Sequence, residues 1–250
     1  MMKYVFLLIL TVCSEFMNAQ TQIIAHRGFF QSNPSTTENS LEALKNAQDL
    51  KVYGSEFDVR MTADGILVVN HDEHHAGMEV SESSLAKLRT ARLANGEELP
   101  TLEQYLEMGK RVIGVKLIVE LKPAKTKILE DMMVQKALQL VSKTKTEEQV
   151  EFISFSLNIC REIKNREPRY PVHYLNGDLS PQQLKLENVD GLDYHYKILL
   201  EKHPEWIAEA RKLGLMTNSW TVNDIETYKK LKSMGIDFVT TNIPDQLINL

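Results

Sequence analysis

The sequence predicts an α/β protein of the (β/α)8 or TIM-barrel class, with one extra antiparallel arm, and three observations carry that expectation. A chain of 250 residues suits one large barrel domain. Beyond residue 19, short β-branched runs alternate with longer helical patterns almost to the end. Leaving out the arm, eight runs of one sense begin near 23, 55, 115, 150, 172, 191, 215 and 236. A doubly wound open sheet is the alternative, and no internal repeat, low-complexity tract or interdomain linker breaks the chain.

The elements follow in order. Lys3, the apolar run Tyr4 to Val12 and the small residue Ala19 have the arrangement of a secretory signal cleaved after residue 19. The apolar run is too short for a stable membrane span, which needs about 20 residues. Export to a periplasmic or extracellular compartment is therefore expected, with lipidation at Cys13 as the alternative, disfavoured by bulky Val12 before it. Residues 20–250 then form a single domain whose one cysteine, Cys160, falls at helical spacing and is expected in the core. Such a domain has no internal disulfide and is held by its core.

Ile23-Ile24-Ala25 is a short strand, and Leu41, Leu44, Ala47 and Leu50 recur at helical spacing after it. Asn39 followed by Glu42 marks a capping-box start for that helix. Strand 55–59 enters a hairpin, a short insertion covers 73–100 with a helical turn or two within 84–93, and 101–109 is helical. Val115–Leu121 is a strand stopped by Lys122-Pro123, and a helix of about 128–142 follows. The alternation continues as strand 150–155, helix 157–165, strand 172–175 and a short helix at 181–186. Strand 191–194, helix 199–213, strand 215–220, helix 225–234 and strand 236–241 complete it.

The hairpin is the most informative stretch. Asp64-Gly65 between two extended runs is a strong turn signal. A turn spanning Thr62 to Gly65 sets Asp58 opposite Val69 and Glu56 opposite His71. Glu56 and Asp58 lie two apart on a strand, so both carboxylates share a face. A solvated polar face explains these residues as well as a site does, until the remaining strand ends are considered. His26-Arg27-Gly28 ends strand one, His71-Asp72 ends the arm, Glu120 and Lys122 end strand three, and Trp220 ends strand seven. A barrel keeps its chemistry at that end of its strands, and scattered surface charges have no reason to collect there.

Residue types narrow the chemistry. Three carboxylates without a cysteine or histidine ligand set favour an oxygen-seeking divalent cation, Mg²⁺ or Ca²⁺. Arg27 suits bidentate grip of a phosphate, and Lys122 supplies a compact positive charge. Two histidines, one taking a proton while the other gives one, suit cleavage of a phosphodiester. Glycoside hydrolysis needs two carboxylates but neither metal nor an Arg–Lys pair. A net charge of −5 argues against general affinity for nucleic acid or anionic lipid.

The ordered set His26-Arg27-Gly28, Thr37-Glu38-Asn39-Ser40, Glu56-Phe57-Asp58-Val59-Arg60, Thr62-Ala63-Asp64-Gly65 and His71-Asp72 closely resembles the glycerophosphodiester phosphodiesterases. Glu120-Leu121-Lys122, Ser154-Phe155, Trp220-Thr221-Val222-Asn223 and Thr241-Asn242-Ile243-Pro244 continue the resemblance across the chain. It implies a barrel that releases an alcohol and glycerol 3-phosphate from a small glycerophosphodiester. By that likeness Glu56, Asp58 and Glu120 hold the metal, and His26 and His71 are the general acid/base pair. Arg27 and Lys122 bind phosphate, and Trp220 lies against the glycerol. The family's usual Pro-Glu-Asn-Thr is Thr37-Glu38-Asn39-Ser40 here, and the 73–100 insertion is shorter than is common, which bears on headgroup choice.

Duller roles compete at several positions. Asn39 and Asn223 are expected as helix caps, Glu38 as facing the site, and Asp72 as orienting His71. Trp220 has core packing as its competing role. Two other activities compete with the first: a lysophospholipase D or sphingomyelinase D type enzyme, and a non-catalytic binder of phosphate esters. The lipid enzyme requires an apolar rim, and the binder is disfavoured because every histidine and acid of the set is present.

Overall fold

The computed structural model describes residues 20–250, so the leader and Cys13 lie outside the described residues. Eight parallel strands close into a barrel, as the alternation predicted. They are β1 (Gln22–Ala25), β2 (Gly54–Met61), β6 (Lys116–Leu121), β7 (Val150–Ser154), β8 (Val172–Tyr174), β9 (Gly191–His195), β10 (Met216–Trp220) and β11 (Phe238–Thr241). Each pairs with its neighbour in that order, and β11 and β2 both pair with β1. The arm β3 (Leu67–Val69) runs antiparallel along β2.

Helices α1 (Leu41–Leu50), α3 (Leu102–Gly109), α4 (Lys127–Thr144), α5 (Leu157–Arg166), α6 (Pro181–Leu186), α7 (Trp206–Lys212), α8 (Ile225–Ser233) and α9 (Pro244–Leu247) follow the barrel strands. The insertion holds β4 (His74–His75), β5 (Met78–Glu79), a 3₁₀ turn and the short α2 (Leu85–Leu88). Its Val80, Leu88 and Leu99 form a small cluster against Val68 of β3, and that apolar contact seats it on the barrel.

Strand alternation divides the core in two. Phe57 and Val59 of β2, Leu117 and Val119 of β6, and Leu192 and Tyr194 of β9 face the helices in the large outer cluster. Ile24, Ile118, Ile153, Leu175 and Phe238 point inward and fill the barrel. The residues between the outward ones on β2, β6 and β9 are Glu56, Asp58, Glu120 and Asp193, so the same period that builds the core sends four acids into the barrel mouth. Cys160 packs in the outer cluster, as expected for a buried thiol.

Four local expectations need correction. The hairpin pairs Val59 with Val69 and Arg60 with Val68, one residue away from the predicted register. Thr62 N donates to the Ile66 carbonyl at 2.9 Å and Gly65 N to the Thr62 carbonyl at 2.9 Å, which closes a three-residue loop. Gly65 supplies the positive φ of 75° that such a loop takes at its last position. Asp58 therefore lies opposite Asn70, whose N–H donates to the Asp58 carbonyl, and Glu56 has no cross-strand partner at His71.

The cap of α1 is Ser40, whose Oγ accepts from Ala43 N at 3.0 Å, and not Asn39. Likewise α8 is capped by Asp224 and not Asn223; the Asp224 carboxylate accepts from Thr227 N at 2.8 Å. Both asparagines stand one residue too early to reach the free N–H groups of the first turn. The expected helix 199–213 is divided: a π-helical turn spans Ile198–Lys202, and α7 begins at Trp206. Pro204 causes the break, because its ring disfavours helical backbone at His203, which sits at φ −137°, ψ 62°.

Candidate active site at the barrel mouth

A cavity of about 240 Å³ opens at the carboxyl ends of the strands. His26, Arg27, Glu56, Asp58, His71, Glu120, Lys122 and Trp220 all line it, so the structure brings the whole predicted set together. Asp193, Phe155, Leu175 and Thr240 line it too, and Ile153 completes an apolar floor.

Glu56, Asp58 and Glu120 form the acidic centre. Each offers a carboxylate oxygen, and these lie within 4.8 Å of one another. All three side chains are buried, and Glu56 Oε1 has no hydrogen-bond partner among the described residues. Burial first, and then the neighbouring Asp58 and Glu120 charges, push Glu56 well above the usual carboxylate range. Glu120 is raised in the same way, by burial and then Asp58. Asp58 goes the other way: burial would raise it, but the Lys122 ammonium, with His71 and the Asn39 hydrogen bond adding, holds it low. Lys122 Nζ stands 2.7 Å from Asp58 Oδ1 and 2.6 Å from Glu120 Oε1. Burial works against the Lys122 charge, yet those two carboxylates keep its pKa above the ordinary lysine value.

Clustered buried carboxylates with an unsatisfied oxygen on Glu56 fit a hard divalent cation, because Lys122 reaches only Asp58 and Glu120 and leaves that oxygen unpaired among the described residues. The donors are all oxygen, which suits Mg²⁺ or Ca²⁺ and offers soft metals nothing.

The two histidines are held through Nδ1. The Asn242 amide oxygen lies 2.7 Å from His26 Nδ1, and Asp72 Oδ1 lies 2.8 Å from His71 Nδ1. An acceptor at Nδ1 puts the hydrogen there and leaves Nε2 as the free nitrogen of each ring. His26 Nε2 stands 4.0 Å from Glu56 Oε2. Burial and then the Arg27 charge lower the His26 pKa to about 4, against the pull of Asn242. His71 is nearer solvent: its side chain is 36% exposed against 18% for His26.

Arg27 follows β1 in the left-handed region at φ 54°, with Gly28 next at φ 77°. A Cβ at Gly28 would come within 2.7 Å of the Ala43 backbone, so only glycine lets the turn pack onto α1. Arg27 N donates to Glu56 Oε2 at 2.9 Å, and Gly28 N to the Glu56 carbonyl at 3.0 Å. Glu38 meets the site as expected: Arg27 Nη1 donates to its two carboxylate oxygens at 2.8 and 3.0 Å.

Asn39 touches the site more directly than a cap would. Its Nδ2 donates to Asp58 Oδ2 at 2.8 Å, and Asp58 N donates to its Oδ1 at 3.2 Å. Asn223 Oδ1 accepts from Asn242 N at 2.8 Å and so braces the residue that holds His26. Sequence reasoning missed Asp193 altogether. Its strand was weakly marked, but the signal was present, since an acid between Leu192 and Tyr194 on an otherwise apolar barrel strand must face inward.

A family model described as the glycerophosphoryl diester phosphodiesterase family matches residues 26–246. A crystal structure of a glycerophosphodiester phosphodiesterase from Parabacteroides distasonis superposes with a TM-score of 0.90 at 39% identity, covering 92% of this chain and 96% of that one. A glycerophosphodiester phosphodiesterase from Caldanaerobacter subterraneus is 28% identical over 248 residues, 92% of this chain and 98% of its own. An Oleispira antarctica phosphodiesterase, solved in complex with the product sn-glycerol-3-phosphate, shares the fold with a TM-score of 0.81 at 22% identity, covering 92% and 96% of the two chains.

Proposed function

The chain belongs to the glycerophosphoryl diester phosphodiesterase family, and from that premise we propose that it hydrolyses a water-soluble glycerophosphodiester to an alcohol and glycerol 3-phosphate. One observation carries this reading. A buried acid triad, two histidines with Nε2 free, and Arg27 with Lys122 line a single cavity.

Glu56, Asp58 and Glu120 would hold a divalent cation, which supplies positive charge to offset that developing on the phosphoryl oxygens. Arg27 and Lys122 bind the phosphate, and their ties to Glu38 and Asp58 orient both cations before substrate arrives. Trp220 lies against the glycerol. His26, deep in the cavity, takes the proton of the attacking glycerol 2-hydroxyl at Nε2. His71, at the solvent side where the alcohol departs, acts in its imidazolium form: Asp72 holds its Nδ1–H and Nε2 delivers the second proton to the leaving oxygen. The two then exchange roles as water opens the cyclic phosphate. Among the described residues, the exposed large hydrophobic side chains, such as Ile113, Ile128 and Leu186, all lie outside the cavity lining. That favours soluble diesters over lyso-lipids.

Residues 20–250 act as the single catalytic domain, with export directed by residues 1–19. Glycerophosphocholine and related diesters, with and without chelator, are assayed for glycerol 3-phosphate. Metal-dependent release is expected, lost in His71→Ala while cation binding survives. Absence of release from every headgroup tried overturns the reading.

A further inference from the structure

Among the described residues, Asp193 is the one acid lining the cavity that stands outside the triad. Its side chain is buried, and Oδ1 has no hydrogen-bond partner among the described residues. Buried polar atoms are nearly always satisfied, so an orphan on a side chain that lines the substrate cavity calls for a partner from the ligand. On β9 it sits level with Asn218 of β10, one inward layer beneath Trp220, which pairs with His195. Trp220 Nε1 donates to the Asp193 carbonyl at 2.9 Å, so the indole and this carboxyl share one rigid frame. Ile153 and Leu175 make the surrounding floor apolar.

The chemistry of the missing partner follows from that setting. Arg27 and Lys122 attract the phosphate, whereas among the described residues no cation stands beside Asp193 to draw it there. Burial pushes the Asp193 carboxyl up to about 8, with Asn218 opposing and Glu120 adding. Near neutral pH it is mostly protonated, both donor and acceptor, and an alcohol hydroxyl matches both roles. We propose that Asp193 is a specificity-determining residue, reading a free hydroxyl of the substrate's glycerol moiety through its carboxyl group. This rests on the phosphodiesterase reading above and adds what the glycerol end is selected by.

The test compares glycerophosphocholine with an analogue whose terminal glycerol hydroxyl is replaced by hydrogen, the 2-hydroxyl being kept. The parent is expected to prefer the full glycerol diester by about 100-fold in kcat/KM, because the analogue leaves the buried carboxyl without its partner. Asp193→Leu narrows the ratio to within about 3-fold by lowering only the glycerol substrate, and Asp193→Asn, which still donates and accepts, keeps most of it. Melting temperature should not fall in Asp193→Leu, since an unpaired buried polar atom is removed. If that variant does not fold, Asp193→Ala reads the same ratio. Calorimetric titration with glycerol 3-phosphate against its deoxy analogue gives the same comparison without turnover. A ratio unchanged by these substitutions, or a parent that does not discriminate, overturns the proposal while the phosphodiesterase assignment stands. A parent that hydrolyses neither diester sinks that assignment, and equal binding of the two phosphates then removes the role of Asp193 as well.

Discussion

Asn39 and Asp58 are joined by two hydrogen bonds, Asn39 Nδ2 to Asp58 Oδ2 at 2.8 Å and Asp58 N to Asn39 Oδ1 at 3.2 Å. One side chain thus fixes both the backbone and the carboxylate of a residue in the acid triad. Asn39 adopts φ 58°, a conformation that asparagine tolerates better than alanine.

Two substitutions separate the strain from the bonds. Asn39→Gly relieves any backbone cost but loses both bonds, whereas Asn39→Ala loses both and adds strain. Each is expected to weaken divalent-cation affinity by about 10- to 100-fold, as loss of a residue orienting a ligand does. Asn39→Ala should be less stable than Asn39→Gly by about 1 kcal/mol, from its left-handed backbone. Calorimetric titration and urea unfolding of the two variants check this.

Removing divalent cations should lower stability. Three buried carboxylates repel one another, and a cation bound only by the folded state stabilises it by about 2.7 kcal/mol at one hundred times Kd. Thermal unfolding with chelator, Mg²⁺ and Ca²⁺ measures this, and Glu120→Gln should flatten the response to both ions. A melting temperature insensitive to either ion contradicts the assignment of the triad.

His173 lies buried with Nε2 unpartnered among the described residues, and burial lowers its pKa from the usual value. The unfolded chain therefore binds more protons than the folded one below about pH 6.5, so stability is full above that pH and falls as the medium is acidified. His173→Gln should lose this dependence. The difference in urea unfolding free energy between parent and variant, measured at pH 7.5 and pH 5 with chelator present, isolates the contribution. A difference that does not change with pH refutes it.

Cys160 packs among α5 and the strands with its thiol pKa pushed up to about 12 by burial. A thiol-specific disulfide reagent at pH 8 should leave it unlabelled in the native protein and label it fully in denaturant. Peptide mass mapping locates the label. Rapid native labelling would place Cys160 at the surface.

Much of the site was legible because its residues sit in strands or at their ends. Glu56, Asp58, Glu120 and Lys122 alternate with apolar neighbours, and a period of two assigns them a face without any tertiary knowledge. Asn39, Asn223 and Asn242 were less legible. Each resembles a cap or turn residue locally, and its role depends on which strand end lies across the barrel mouth. The hairpin register was missed by one residue because Ala63-Asp64-Gly65 fits two loop lengths, and only the closed hydrogen bonds around Thr62 and Ile66 choose between them.

By itself the sequence determined the barrel, through eight apolar strand runs alternating with helical ones, and the kinds of groups at its mouth. Periodicity and residue chemistry are local properties, readable along the chain. Tertiary structure decided which groups touch: that Lys122 bridges Asp58 and Glu120, that Asn242 holds His26, and that Asp193 closes the floor with an unpaired oxygen. Those contacts join residues far apart in sequence, and desolvation inside the closed barrel, which no single segment encodes, sets their charge.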